Sequence, residues 1–176
     1  MKRVLLWVPL GAFALLFAVV ASGLFRPSDH LVHSQMVGKA LPQFTLPKMV
    51  PDAPGLASTT FTDGKPRLLN MFASWCIPCM AESPNLMALK QQGVEIDAVA
   101  VRDTPRNVED FLTRFGNPYA RIGDDRQSAV QLALGSSGVP ETYVIDGHGR
   151  IVEQHIGDVR AEDVPGLLAA LKKAGG

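Results

Sequence analysis

The chain's only two cysteines, Cys76 and Cys79, stand three residues apart where an apolar run gives way to a helical pattern, and this junction constrains the fold more than any other stretch. Arg67 to Ala73 (Arg-Leu-Leu-Asn-Met-Phe-Ala) reads as a buried strand, and Met80 to Leu89 carries helical periodicity. The chain must turn from strand to helix at Ser74-Trp75-Cys76, which puts Cys76 on the opening turn. Free backbone N–H groups and the positive end of the helix dipole stabilise a thiolate there and make Cys76 the attacking sulfur. Cys79 lies about one helical turn further in, where it can close on a mixed disulfide at Cys76. As a staple, a disulfide over so short a loop restricts the unfolded chain by only about 2 kcal/mol, so dithiol chemistry explains the pair better than stability does.

A zinc site needs about four ligands. There is no second cysteine pair, and His30, His33, His148 and His155 are scattered, so neither a metal nor another cofactor is expected. A copper or haem carrier that uses the two sulfurs as ligands without turnover remains open as a reading of a different class. Coincidence in a buried core does not explain Trp75 before the pair and Pro78 within it.

Trp-Cys-x-Pro-Cys behind an apolar strand resembles the thioredoxin superfamily. Pro84, five residues after Cys79, removes one helix hydrogen bond and should kink the helix, as thioredoxin-like active-site helices are kinked. Gly138-Val139-Pro140 stands before the strand pattern Thr142 to Ile145. The resemblance implies that Pro140 is a cis-proline facing the dithiol, a cis bond being tolerated almost only before proline. Read alone, Pro140 is a strand-starting proline.

Longer segments narrow the match: Leu68 to Cys79, Glu82-Ser83-Pro84, Gly116 to Ala120 and Gly138 to Gly147. They are similar to the membrane-tethered thiol:disulfide interchange proteins of cytochrome c maturation, the CcmG/DsbE family, over about Gly38 to the C-terminus. The resemblance implies an α/β thioredoxin-like fold, a mixed central sheet flanked by helices, with an extra N-terminal β-hairpin and a central strand-helix insert. It implies a protein-disulfide reductase in which Cys76 attacks a client disulfide and Cys79 resolves the intermediate. Clients would be apocytochrome c haem-site cysteines or the dithiol protein that handles them, with electrons returned by a transmembrane thiol reductase. Trp75, Val139 and Pro140 should frame a shallow apolar groove for the client. A general extracytoplasmic reductase with other clients is the nearer alternative.

Asn70 departs from thioredoxins, which bury an aspartate six residues before the first cysteine. An amide cannot serve as general base. Glu82, three residues beyond Cys79 on the same helix face, and Glu141, next to Pro140, are the candidates for proton transfer. A glutamate partly buried near a thiol would have a raised pKa. A solvated helix glutamate at 82 and an edge hydrogen bond at 141 are the plainer readings.

Val4 to Phe25 is 22 residues without a charge, long enough to span about 30 Å of hydrocarbon. Residues 1–25 are expected to be a membrane anchor; Val19-Val20-Ala21 followed by Ser22 also admits signal cleavage. Lys2 and Arg3 hold the N-terminus in the cytoplasm, so residues 26–37 form a linker and 38–176 a domain in the periplasm of a bacterium, tethered to the inner membrane. Beyond Lys2 and Arg3 the chain has 15 basic and 17 acidic residues, and no basic stripe argues for nucleic acid.

Leu41 to Pro47 should be an edge strand pairing with Thr59 to Thr62. Glu95 to Val101 reads as an interior strand. Thr104-Pro105 opens an amphipathic helix ended by Gly116, with Val108, Phe111, Leu112 and Phe115 on its apolar face. Tyr119 to Ile122 and Ser128 to Leu134 form the inserted strand and helix. Glu141 to Ile145 and Arg150 to Ile156 make a hairpin with His148 in its turn and His155 on a strand face, and Val164 to Leu171 begins the last helix, its start delayed by Pro165-Gly166.

Overall fold

The computed structural model describes residues 36–176, together with Trp7, Pro9, Ala12, Phe13, Leu15, Leu16 and Phe17. The chain divides into two compact units, Met1–His33 and Ser34–Gly176. In the first, the seven described residues are helical. Among the described residues no helix is long and apolar enough to cross a membrane. The rest of the anchor expected over residues 1–25, and the linker as far as residue 35, lie outside the described residues.

The second unit is built on a five-stranded sheet. Strands β3 (Arg67–Phe72), β4 (Ile96–Val101) and β6 (Glu141–Ile145) are buried at every position. Continuous burial of this kind belongs to strands covered on both faces. With β5 (Arg121–Asp125) and β7 (Ile151–Ile156) the order is β5-β4-β3-β6-β7. β3, β4 and β5 run parallel, while β6 opposes β3 and β7 opposes β6. The mixed sheet places the end of β3, which leads into Cys76, beside the start of β6, which follows Pro140.

Four helices complete the unit: α1 (Ile77–Gln91), α2 (Pro105–Phe115), α3 (Ala129–Ala133) and α4 (Val164–Ala174). Leu86 and Leu89 of α1, Val108 and Phe111 of α2, and Leu167 and Leu171 of α4 share one core with Leu68, Phe72, Ala98 and Val144 from one face of the sheet. Leu69, Met71, Val99, Tyr143 and Ile145 point to the other face, where Phe61, Val130 and Leu134 meet them. The strand period of two divides the two cores.

Several boundaries differ from the expectations, each for a local reason. The N-terminal hairpin is β1 (Thr45–Leu46) against β2 (Leu56–Ala57), and Ser58–Thr62 is a 3-10 turn that buries Phe61 rather than a strand. The chain can reverse early because Gly55 lies against β1: a Cβ there would meet the Leu46 carbonyl oxygen at 2.5 Å. Backbone bonds from Met49 to Ile122 and from Asp124 to Pro47 lay the hairpin along β5, shielding that sheet edge. The inserted strand begins at Arg121, not Tyr119, because Tyr119 turns inward to hydrogen-bond Asn70. It ends at Asp125, whose carboxylate accepts from Ala129 N at 2.7 Å and Gln131 N at 2.9 Å and starts α3. Pro165 does not delay α4; it sits in the first turn, where a missing N–H breaks no helix bond.

Candidate active site

β3 delivers the chain to Ala73, buried at the rim of the sheet, and Asp103 takes over from there. Its carboxylate accepts from Ser74 N at 2.6 Å, Ser74 Oγ at 3.0 Å and Thr104 N at 2.8 Å. That anchor sets where α1 begins. Cys76 occupies the N-cap in extended conformation, and its Sγ accepts from Cys79 N at 3.2 Å, where a serine or aspartate oxygen would ordinarily sit. Pro78 falls in the first turn, where its lack of an N–H costs nothing. Cys76 and Cys79 are disulfide-bonded. α1 runs unbroken through Pro84, and Ser83 Oγ donates to Cys79 O at 3.0 Å beside it. The sulfurs are nearly covered, at 4% exposure for Cys76 and 1% for Cys79, while Trp75 and Ile77 stand out at 58% and 76%. An apolar collar thus surrounds the more accessible sulfur.

Glu82, one turn beyond Cys79, faces the sheet and is buried. Its Oε1 accepts from Asn70 Nδ2 at 3.1 Å and its Oε2 from Val159 N at 3.0 Å. Asn70 also donates to Thr142 Oγ1 at 3.0 Å, and its oxygen accepts from Tyr119 Oη at 2.9 Å. Burial pushes the Glu82 carboxyl up to about 7, against the opposing pull of the Val159 and Asn70 hydrogen bonds, with the charge of Asp158 adding a little. Burial, then the charge of Glu82, also raises the Tyr119 hydroxyl well above the ordinary tyrosine range, so that hydroxyl stays a donor. Asn70, unable to take a proton, holds the carboxyl that can.

Glu141 is placed elsewhere. It is buried, but strand alternation puts it on the Tyr143 face of the sheet, with β3 and β6 between it and α1. Its oxygens accept from Ser137 N and Oγ, Tyr143 Oη and Gln154 Nε2, at 2.5 to 3.0 Å. These four donors engage both of its oxygens on that face. The structure brings Glu82 to the dithiol helix and keeps Glu141 away from it.

The Val139–Pro140 peptide bond is cis. Pro140 is buried one step beyond the Met71–Glu141 pair, at the end of the sheet that leads to Cys76. Beside Trp75 opens a cleft of about 330 Å³ lined by Trp75, Val101, Arg102, Leu132, Ser137 and Val139, with Gln131, Ser136 and Gly138. Of the residues expected around an apolar groove beside Cys76, Trp75 and Val139 line this cleft and Pro140 does not; Arg102, Gln131, Ser136 and Ser137 give it polar walls as well. His155 Nε2 lies 3.2 Å from Asp158 O and 3.7 Å from Asp163 Oδ2. Among the described residues no group of three or more His, Cys, Asp or Glu is placed to hold a metal.

Reading the sequence did not single out Asp103 or Arg102. Their position offered a signal: they follow the carboxyl end of a parallel strand, where α/β folds gather functional groups.

A redox-active pair capping a helix over a mixed sheet is the arrangement of a thioredoxin-like thiol-disulfide oxidoreductase, and the comparisons agree with that class. The Redoxin family model matches residues 36–171. The thiol:disulfide interchange protein HelX of Rhodobacter capsulatus is 38% identical, covering 96% of this chain and 98% of its own. The thiol:disulfide interchange protein DsbE of Escherichia coli is 36% identical over 90% of this chain and 88% of its own. A solved thiol:disulfide interchange protein of the thioredoxin family from Chlorobium tepidum superposes with a TM-score of 0.62 over 78% of this chain and 96% of that one; at 22% identity it shows the shared fold. The chain belongs to the CcmG/DsbE family of thiol:disulfide interchange proteins.

Proposed function

We propose that the chain reduces disulfides in cytochrome c biogenesis, held at the bacterial inner membrane by residues 1–25 with its thioredoxin-like domain, residues 38–176, in the periplasm. The 22 uncharged residues Val4 to Phe25 behind Lys2-Arg3 support the anchor and its orientation. The clients, apocytochrome c haem-site cysteines or the dithiol protein that handles them, and the transmembrane thiol reductase that returns electrons follow from family resemblance. The observation that carries the chemistry is Cys76 Sγ at the N-cap of α1, facing the Cys79 N–H at 3.2 Å.

In the reduced protein, Cys76 as thiolate attacks one sulfur of a client disulfide, and the other client sulfur leaves as thiolate. Glu82 takes the proton of Cys79, which attacks Cys76 Sγ and releases the second client sulfur. The client gains two electrons, and the protein is left with the Cys76–Cys79 disulfide. The membrane reductase then supplies two electrons to restart the cycle.

Cys79→Ala stalls the cycle at the mixed disulfide. Expressed in cells that assemble c-type cytochromes, this variant should retain apocytochrome c or a dithiol protein of that system, identified by mass spectrometry after thiol quenching. Capture of unrelated extracytoplasmic proteins alone would replace this reading with a general reductase. A reduction potential nearer the thioredoxin end, about -270 mV, than the oxidant end, about -120 mV, is the matching result in vitro.

A further inference from the structure

Arg102 stands at the left-handed conformation, φ 50°, one of two non-glycine residues with positive φ among the described residues. The other is Ser128, φ 58°, and the two are joined: Arg102 Nε donates to Ser128 Oγ at 2.8 Å. Arg102 N and Ser128 N both donate to Asp125 O, at 3.3 and 3.0 Å. Arg102 O accepts from the Trp75 indole N–H at 3.2 Å. Left-handed backbone is strained for a residue with a side chain, and such strain gathers where function needs it.

Arg102 is exposed and lines the cleft beside Trp75. Among the described residues it is the only charged one lining that cleft. Its Nη atoms have no hydrogen bond or ion pair among the described residues. The two acids nearest in sequence and contact do not neutralise it, because Asp103 is spent on Ser74 and Thr104 and Asp125 on the first turn of α3. A fixed, exposed, unpaired cation beside an apolar collar is complementary to an acid on a bound chain.

We propose that Arg102 is a specificity residue that selects client polypeptides carrying an aspartate or glutamate near the reacting cysteine. This rests on the reductant reading above. Trp75, next to Cys76 in the chain, lines the same cleft as Arg102 and bonds its carbonyl, so a few extended residues carry a client from the reacting sulfur to the guanidinium.

The test uses the reduced full-length protein and synthetic peptides with one internal disulfide, bearing aspartate or asparagine three residues before or after the reacting cysteine. The readout is the ratio of the two second-order reduction rates within each variant, so that a general loss of activity cancels. The wild type should favour the better-placed aspartate peptide by about two- to five-fold at low ionic strength, the range of an exposed ion pair, with the ratio falling toward one in 0.5 M salt. Arg102→Gln should bring the ratio to one, and Arg102→Glu should invert it. A ratio of one in the wild type, or an unchanged ratio in Arg102→Gln, overturns the inference while leaving the reductant reading intact. Reduction of neither peptide overturns both.

Discussion

Replacing Glu82 by glutamine should change the pH dependence of stability in a direction set by burial. The folded protein holds this carboxyl near 7, against an ordinary glutamate value of 4.5, because the group is removed from water. An acid whose folded pKa lies above its unfolded value binds its proton more tightly in the native state. Stability therefore falls as pH rises from about 4.5 through about 7 and stays low above that. A shift of this size corresponds to about 3 kcal/mol of lost stability between pH 4.5 and pH 8. Glutamine has no charge to desolvate, so the variant escapes that loss. It also presents an N–H to either Val159 N or Asn70 Nδ2, both of which donate to Glu82 in the native protein, and one mispaired donor costs about 1 kcal/mol. The variant should be less stable than wild type near pH 5 by about 1 kcal/mol and more stable near pH 8 by about 2 kcal/mol. Urea denaturation of the oxidised proteins from pH 5 to pH 8.5 reads this crossing directly. Parallel stability profiles would refute the reasoning, since they would mean the carboxyl titrates alike folded and unfolded.

Three further outcomes follow from other sites. Asp103→Ala leaves the half-buried Ser74 N–H, the Ser74 hydroxyl and the Thr104 N–H without their acceptor and should cost about 1 to 3 kcal/mol in urea denaturation; an unchanged midpoint would show that the loop before Cys76 is held by something else. Arg67→Met removes the guanidinium that Asp63, Glu95 and Asp97 share, leaving buried Asp97 only Arg121; about 3 to 5 kcal/mol should go at neutral pH. Burial raises the Asp97 carboxyl against the pull of Arg121 and Arg67, so this loss should shrink toward acid pH as Asp97 protonates, and a pH-independent loss would contradict it. Gly147→Ala drives a Cβ to within 2.3 Å of the Gly64 backbone, which cannot rotate away as a side chain can. The expected cost is about 1 to 3 kcal/mol with little change in reduction rate per folded molecule; wild-type stability would mean the two loops separate easily.

The dithiol was legible because its signals are local. Strand, cysteine and helix succeed one another within 25 residues, and a helix start is an anion site whatever the rest of the chain does. The largely apolar interior strands, the Thr104-Pro105 cap and the amphipathic face of α2 were legible for the same reason. The 3-10 turn at Ser58–Thr62 was not, since three threonines and a phenylalanine suit a strand equally well and only the contact of Gly55 with β1 moves the reversal forward.

The two glutamates mark the boundary. Both follow the cysteines or the proline at suggestive spacing, and spacing alone could not rank them. Only the assembled sheet decides that Glu82 shares a face with the dithiol helix while Glu141 is bound by four donors on the other side, because strand alternation sends neighbours in sequence to opposite cores. Asn70, Tyr119 and Val159, 89 positions apart at the extremes, enclose Glu82 only after folding, and it is that enclosure that raises its affinity for a proton. The chain alone determined the cysteine pair and the helix end that carries it; the tertiary structure decided which acid, which cation and which groove stand beside them, because burial and charge pairing are properties of neighbours distant in sequence.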